Sequence, residues 1–418
     1  MIQKTCLAND VRILTKRIPH FKSVSMGVWV NAGARDEAED ENGLSHFIEH
    51  MIFKGTATRS AYQIAKAFDA IGGHSNAFTS METTCYHAKV MADHLATMTD
   101  ILSDIFLNSV FDPLEIDRER PVISQEIGML EDTPEEWIHV LAQNTFWGES
   151  PLGRSILGNR ENLLRFDAPV VRAFFRKLYQ PDRILICTAG NVEHNRIVDL
   201  MGPAFEAIGA GNRLPERLTP TGQAQIRRVR KKLEQVHLCL TTPGLSLTDP
   251  RRFAFSILNT VLGGNMSSRL FQEIRERRGL AYSVYSFVSA YVDTGVFGAY
   301  AACDVKKIKE VLRVILAEMH RIQSDLLDIT ELKNAKAFLK GSLYLGSESV
   351  DHQMLRMAQN EILFNAPVPI EHVIQGIEAV AAHEVRDLAR ELFCPEQMAA
   401  TLLGPIPARL NLEGLLSP

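Results

Sequence analysis

Along this chain the spacing of apolar and polar residues changes period several times, and each change marks an element. Residues 1–35 read as antiparallel strands, with Asn9-Asp10 as the turn between short β-rich runs. Ser23 to Val30 is nearly unbroken in its apolar character, as a strand buried on both faces should be. A loop from Gly33 to Gly43 leads into a helix carrying Leu44-Ser45-His46-Phe47-Ile48-Glu49-His50-Met51. This helix is expected to end near Lys54-Gly55, with the glycine as its C-terminal cap. Ser60 then caps a second helix, Ala61 to Ala70, closed by Gly72-Gly73. Ser75 to Met91 alternates and is rich in threonine and aromatics, so it reads as two strands or one long one, opening on Asn76-Ala77-Phe78-Thr79. Leu95, Met98, Ile101, Leu102 and Ile105 recur at helical spacing within Asp93 to Leu107. Asp112-Pro113 starts another helix in the favoured way, an N-cap followed by proline.

Tyr179-Gln180-Pro181-Asp182-Arg183 precedes a strand, Ile184 to Ala189, and Gly209 to Gly222 is the best linker in the sequence. After it the order of elements recurs: a strand (Gln235 to Thr242), a helix (Arg251 to Leu262), a glycine turn (Gly263-Gly264), then paired helix and strands to Cys303. Helices from Val305 and from near Thr330 follow, and a last one ends by Phe393. Phe393-Cys394-Pro395 before Met398 to Gly404 repeats the proline-led approach to the strand at Ile184. Two domains of one plan, 1–212 and 223–418, read as a duplication.

Composition narrows the class. Of 418 residues 46 % are hydrophobic and 23 % charged, which supports sizeable cores and argues against disorder. A net charge of −5 gives no electrostatic footprint for nucleic acid, and the Arg227-to-Lys232 cluster reads as a solvated strand or linker edge. Six scattered cysteines without a CxxC pair point to a reducing compartment. The N-terminus lacks the apolar stretch of a secretory signal, and no run approaches the length of a membrane span, so a cytoplasmic protein is expected.

The chemistry lies in His46-Phe47-Ile48-Glu49-His50, which reads H-x-x-E-H, the zinc-protease spacing in reverse. His46 and His50 stand one above the other on a helix and can share a tetrahedral Zn²⁺. Glu49 is then beside the metal, able to take a proton from water. A histidine pair without metal is the bland alternative, and a third ligand decides between them. Glu126 is the natural candidate, with Glu119, nearly two turns earlier on the same face, as an acid behind the ligands. Alone, two such glutamates are also what a solvated helix surface offers. Pro121 between them predicts a kink. The second half has no H-x-x-E-H, so only the first can hold the metal.

With these residues in view the chain resembles the pitrilysin-type (M16, inverzincin) zinc metallopeptidases, in the roughly 400-residue class of bacterial peptidases and the mitochondrial processing peptidase β subunit. The resemblance covers nearly the whole chain. It rests on Ala32-Gly33-Ala34-Arg35-Asp36-Glu37, the H-x-x-E-H helix with Phe53-Lys54-Gly55-Thr56, and Asn76-Ala77-Phe78-Thr79. It continues through Glu119 to Glu126, Tyr179 to Gly190, and Arg275-Glu276-Arg277-Arg278-Gly279-Leu280-Ala281-Tyr282. It implies an α+β chain of two homologous domains, each a mainly antiparallel sheet covered by helices on one face (the LuxS/MPP-like metallohydrolase fold). His46, His50 and Glu126 become the zinc ligands, one Zn²⁺ per chain, with Glu49 as general base and Glu119 supporting it. Arg275 and Tyr282, otherwise a solvated helix end, become donors to the substrate carbonyl or oxyanion. Asn76, Ala77, Phe78 and Thr79 become an edge strand that pairs with extended peptide, against the alternative of a buried core strand. Ser45 stands where the family often has alanine, and Pro121 is less usual.

The implied activity is zinc-dependent endopeptidase hydrolysis of extended, unfolded peptides inside a chamber. A chain of this length closes such a chamber only with a partner, so a homodimer with composite sites completed in trans is expected, with neither nucleic acid nor membrane as partner. A non-catalytic scaffold relative and an enzyme needing a different second subunit are the alternatives. The intact His46, Glu49, His50 and Glu126 speak against the first, and the Arg275–Tyr282 pair speaks against the second.

Overall fold

A computed structural model of the chain describes residues 2–209, 215–407, 410, 412 and 414. In order, the first half forms β1 (Ile2–Cys6), β2 (Arg12–Arg17), β3 (Ser23–Val30), α1 (Leu44–Met51), α2 (Ala61–Asp69), β4 (His74–Thr79), β5 (Thr84–Met91) and α3 (Leu95–Leu107). It continues through α4 (Pro113–Asp132), α5 (Pro134–Trp147), α6 (Arg160–Leu163), α7 (Ala168–Leu178), β6 (Ile184–Gly190) and α8 (His194–Glu206). The second half forms β7 (Ile226–Arg230), β8 (Val236–Gly244), α9 (Arg252–Leu262), a π-helical turn (Phe271–Arg277), β9 (Ala281–Ala290), β10 (Gly295–Cys303) and α10 (Ile308–Ser324). It ends with α11 (Ile329–Ser347), α12 (Val350–Phe364), α13 (Ile370–Ala379), α14 (Ala382–Leu392) and β11 (Ala399–Gly404). The linker read at Gly209 to Gly222 lies partly outside the described residues, at 210–214.

The chain divides into two compact units, and these depart from the sequence halves in one respect. Unit 1 comprises Met1–Gly128, Arg154–Leu218 and Leu345–Pro367, and unit 2 comprises Met129–Gly153, Thr219–Tyr344 and Val368–Pro418. Each thus takes one helix from the other half of the sequence: α12 belongs to unit 1 and α5 to unit 2.

Unit 1 is built on a six-stranded sheet ordered β1-β2-β6-β3-β5-β4, antiparallel except where β2 runs beside β6. One face carries the main core, with Val24, Met26 and Val28 of β3 meeting Phe47 and Ile48 of α1, Ile101 and Ile105 of α3, and Phe174 of α7. The opposite face, with Leu14, Trp29, Cys85, Leu185 and Cys187, is covered by Met354, Met357 and Ala358 of α12. Burial from both sides is why β3 and β6 are apolar almost throughout. Each fully buried methionine on α12 contributes about 1.5–3 kcal/mol by leaving water. The buried carboxylate of Glu361 receives Lys4 at 2.6 Å and Arg12 at 3.3 Å, pinning the helix to β1 and β2. Unit 2 repeats the plan with the order β7-β11-β8-β10-β9, β7 and β11 parallel. Its second face, with Cys239, Tyr300 and Leu403, is covered by Ile138, Leu141 and Ala142 of α5.

The α+β reading holds, with mixed sheets and helices on both faces. Helices on a single face would have left Trp29 and Tyr300 in water, and both are buried. The expected glycine cap of α1 does not form: the helix stops at Met51, and Gly55, at φ 133°, bridges to Ser60 in the following turn instead. Ser60 caps α2 as read, its hydroxyl accepting from the Gln63 backbone while the Gln63 side chain returns to the Ser60 N–H. Among the described residues no helix is long and apolar enough to cross a membrane.

Gly27 of β3 lies against Met354 of α12. A Cβ there would stand 2.7 Å from Trp29 Nε1, 2.9 Å from Met354 Sδ and 3.2 Å from Cys85 Sγ. Gly27→Ala is therefore expected to destabilise the protein by about 1–3 kcal/mol through overpacking. Urea unfolding should show this as a lower midpoint at unchanged slope; an unaltered midpoint would mean that α12 yields at no cost.

Candidate metal centre

The site is assembled on α1, a helix of eight residues that presents polar groups to one side and Leu44, Phe47, Ile48 and Met51 to the core. Its N-cap, Gly43, sits at φ 105° against Gly158 and has no side chain to offer. The cap comes from the preceding loop. Glu37, 3 % exposed, accepts from the backbone N–H of Ser45 at 2.7 Å and of Gly43 at 2.8 Å, and from the Asn42 amide at 3.0 Å. A carboxylate at a helix N-terminus also meets the positive end of the helix dipole. The same loop grips the β4–β5 turn. Ala34 N–H donates to Ser80 O at 3.1 Å, Arg35 N–H to Met81 O at 2.7 Å, and the Arg35 guanidinium to Glu82 at 2.6 Å. The segment Gly33 to Glu37 therefore joins the strand pair to the histidine helix, a role the sequence reading left unassigned.

His46, His50 and Glu126 converge, one ligand atom from each lying within 4.8 Å of the other two. Glu126 Oε1 is 3.6 Å from His46 Nε2, and Oε2 is 3.4 Å from His50 Nε2. Glu126 comes from α4, which opens on Asp112, whose carboxylate accepts from the Leu114 N–H at 2.8 Å. The helix continues through Pro121, which lies on its exposed side, where water can replace the lost backbone partner. Glu119 and Glu126 both reach the histidines across it. The neighbouring His46 and, to a lesser degree, His50 imidazoles hold the Glu126 carboxyl below its usual range, against the effect of burial.

Glu119 is 5 % exposed and meets His50 Nδ1 at 2.8 Å, while Lys54 Nζ reaches its other oxygen at 2.5 Å. Burial pushes the Glu119 carboxyl up, but the bonds from Lys54 and His50 prevail and hold it low. With Nδ1–H donated to a carboxylate, the His50 lone pair lies on Nε2, the nitrogen that faces Glu126. Two imidazoles and a carboxylate, one of the imidazoles oriented from behind, suit a four-coordinate divalent cation with one position left open. His46 has no such support among the described residues: its Nδ1 is buried without a hydrogen-bond partner there. Lys54 was legible only as part of a motif, because its partner lies 65 positions away on α4.

Glu49 faces the edge of the sheet, where Thr79 Oγ1 donates to its Oε2 at 2.6 Å. The Asn76-Ala77-Phe78-Thr79 stretch lies on β4, the outermost strand of its sheet, paired with β5 alone. Asn76 is exposed, Ala77 packs toward the main core, and Phe78 lies edge-on to Trp29 at 5.4 Å on the other face. Arg275 and Tyr282 belong to unit 2 and are paired with each other. The guanidinium stacks 4.2 Å from the Tyr282 ring and 4.8 Å from Phe271, both contacts made from the π-helical turn. Tyr282 is 75 % exposed at the start of β9.

Comparison with known proteins gives a consistent picture. Residues 12–160 match the model of the insulinase family (peptidase family M16), and residues 165–339 match the peptidase M16 inactive domain. An uncharacterized zinc protease of Streptomyces coelicolor is 38 % identical over 97 % of this chain and 90 % of its own length. The uncharacterized zinc protease YmxG of Bacillus subtilis is 40 % identical over 97 % of this chain and 98 % of its own. The crystal structure of a protease from Helicobacter pylori superposes with a TM-score of 0.90 at 19 % identity, covering 96 % of this chain and 99 % of that one.

The cap of α1 carries a titration of its own. Burial pushes the Glu37 carboxyl up to about 7, against the lowering effect of its Gly43, Ser45 and Asn42 donors. A carboxyl raised by folding binds its proton more tightly folded than unfolded. Its contribution is thus fully present below the unfolded value and lost as pH rises through about 7. In metal-free protein, the stability of wild type relative to Glu37→Gln is expected to fall by about 2–3 kcal/mol from pH 5 to pH 8. Denaturant titrations of both proteins across that range measure it, and a difference independent of pH would refute the assignment.

Proposed function

The chain belongs to the M16 peptidase family, and from that premise we propose that it is a zinc-dependent endopeptidase, with one Zn²⁺ per chain held by His46, His50 and Glu126. The observation that carries this reading is the convergence of these three side chains within 4.8 Å, with Glu49 adjoining on the same helix. The relatives described as zinc proteases support the choice of metal. Residues 165–339 match a family model described as inactive, and among the described residues the metal-holding cluster lies outside that stretch.

Zinc in this site supplies Lewis-acid polarisation of the scissile carbonyl and brings the pKa of a water toward about 7. Glu49 acts as general base: its carboxylate takes the proton of the attacking water and delivers it to the departing amine. Glu119, itself held by Lys54, keeps His50 in the tautomer that leaves Nε2 free. The open edge of β4 pairs with an extended peptide through main-chain hydrogen bonds, with Asn76, Ala77, Phe78 and Thr79 as the docking segment. Such pairing selects unfolded substrates, since a folded one has no free strand to offer. Arg275 and Tyr282 serve as donors to the substrate carbonyl or the developing oxyanion.

We further propose a homodimer that closes a chamber, each metal site completed by Arg275 and Tyr282 of the second copy, in the cytoplasm. Six free cysteines and no disulfide among the described residues suit that compartment.

The zinc-loaded protein is expected to cleave a mixture of extended peptides, and Glu49→Gln to retain zinc while losing at least about 10²-fold in kcat. Chelation should abolish cleavage and zinc restore it. If wild type with stoichiometric zinc cuts nothing, the reading moves to a non-catalytic scaffold or a subunit that needs a different partner. Sedimentation run alongside turnover addresses assembly: activity should follow the dimer, and a monomer at full activity would sink the composite site.

A further inference from the structure

Thr79 stands at a junction that peptide docking alone does not explain. Along β4 the side chains alternate, so Ala77 and Thr79 face the helices while Phe78 faces Trp29 and His87. Thr79 therefore points away from the groups that grip the strand on its other face and toward α1. There its hydroxyl meets Glu49 Oε2 at 2.6 Å. A carboxylate only accepts, so the threonine proton is committed to Glu49, and the charge assistance makes the bond a strong one.

Among the described residues this is the only hydrogen bond of the Glu49 side chain. The terminal torsion of a glutamate is broad and has little preference of its own. One fixed oxygen aims the other. The strand supplying the fix is anchored independently, by the Phe78–Trp29 contact and by the grip of Ala34 and Arg35 on the turn that follows.

We propose that Thr79 is a positioning residue for the general base, holding Glu49 Oε2 so that Oε1 is directed at the attacking water. The proposal rests on the endopeptidase reading above. It adds that the strand which docks the peptide also aims the base, so that binding and proton transfer share one rigid element.

The test compares Thr79→Val with Thr79→Ser in the zinc-loaded protein. Valine keeps the shape and the strand preference and removes the donor, whereas serine keeps the donor. Thr79→Val should lower kcat about 10–100-fold with KM within about twofold, and Thr79→Ser should recover most of the loss. Zinc content should match wild type in both. Peptide affinity measured on the Glu49→Gln background should be the same with and without Thr79→Val. Should valine disturb the strand, Thr79→Ala against Thr79→Ser makes the same comparison between two small side chains.

Wild-type kcat in the variants lacking the donor would overturn the proposal. So would lost peptide affinity or lost zinc that accounts for the fall in kcat/KM, which would make Thr79 a strand or scaffold residue. Failure of serine to rescue would also overturn it. A wild-type protein that cuts nothing defeats the endopeptidase reading first and this inference with it, a result distinct from an active wild type indifferent to Thr79.

Discussion

Eight residues are too few to hold a helix in water, yet α1 must present His46, Glu49 and His50 in fixed relation. Its stability has to come from outside. Four apolar side chains anchor one face, but an apolar anchor sets position better than it sets the end of the helix. The end is set by Glu37, whose two oxygens take the backbone donors of Gly43 and Ser45. Gly43 cannot cap for itself and cannot be larger, since Gly158 lies against it. The candidate metal site therefore depends on a buried carboxylate seven positions before the helix begins.

The same loop reaches in the other direction, through Ala34 and Arg35, to the turn that ends β4. Helix and edge strand are held in common, and the Thr79–Glu49 bond closes the circuit. Behind the histidines the support is uneven. His50 is backed by Glu119 and Lys54, and His46 Nδ1 by nothing among the described residues. A histidine without an oriented partner keeps its place by packing, and His46, 6 % exposed, is the more deeply buried of the two histidines. One histidine is thus fixed by hydrogen bonding and the other by close packing.

Much of this was legible from local pattern. Ser60 with Gln63, Asp112 with Pro113, and the unbroken apolar run of β3 each carry their structure within a few residues, so a window of sequence contains the cause. The three converging side chains were legible for a related reason: spacing along each of two helices puts them on one face, and the packing of the two helices brings them together. What escaped was non-local or competitive. Gly55 looked like the end of α1, but the helix stops at Met51 and the glycine's positive φ serves the bridge to Ser60. Glu37 and Lys54 appeared only as letters in motifs, and Thr79 only as part of a peptide-pairing strand, because their side-chain partners lie on other elements. The exchanged helices escaped most completely. Nothing in the local pattern of α5 or α12 distinguishes a helix that serves its own sheet from one that serves the other.

That exchange bears on why two similar units remain one chain. Each sheet needs a helix on its second face, and each obtains it from the other half of the sequence. Separated at the linker, unit 1 would expose Trp29 and unit 2 would expose Tyr300, both now fully buried aromatics. At roughly 25 cal/mol per Å² of apolar surface, uncovering either face would consume a large part of a domain's net stability. The two halves differ in chemistry, yet each sheet is complete only with a helix from the other half of the sequence. The first keeps the histidines and carboxylates, and the second, free of that constraint, still has to supply α12. The helix packs against β3, whose neighbour β5 pairs in turn with β4. In this way a helix from the second half of the sequence packs on the sheet whose edge strand carries Thr79, and the Thr79–Glu49 bond is built on elements from both halves.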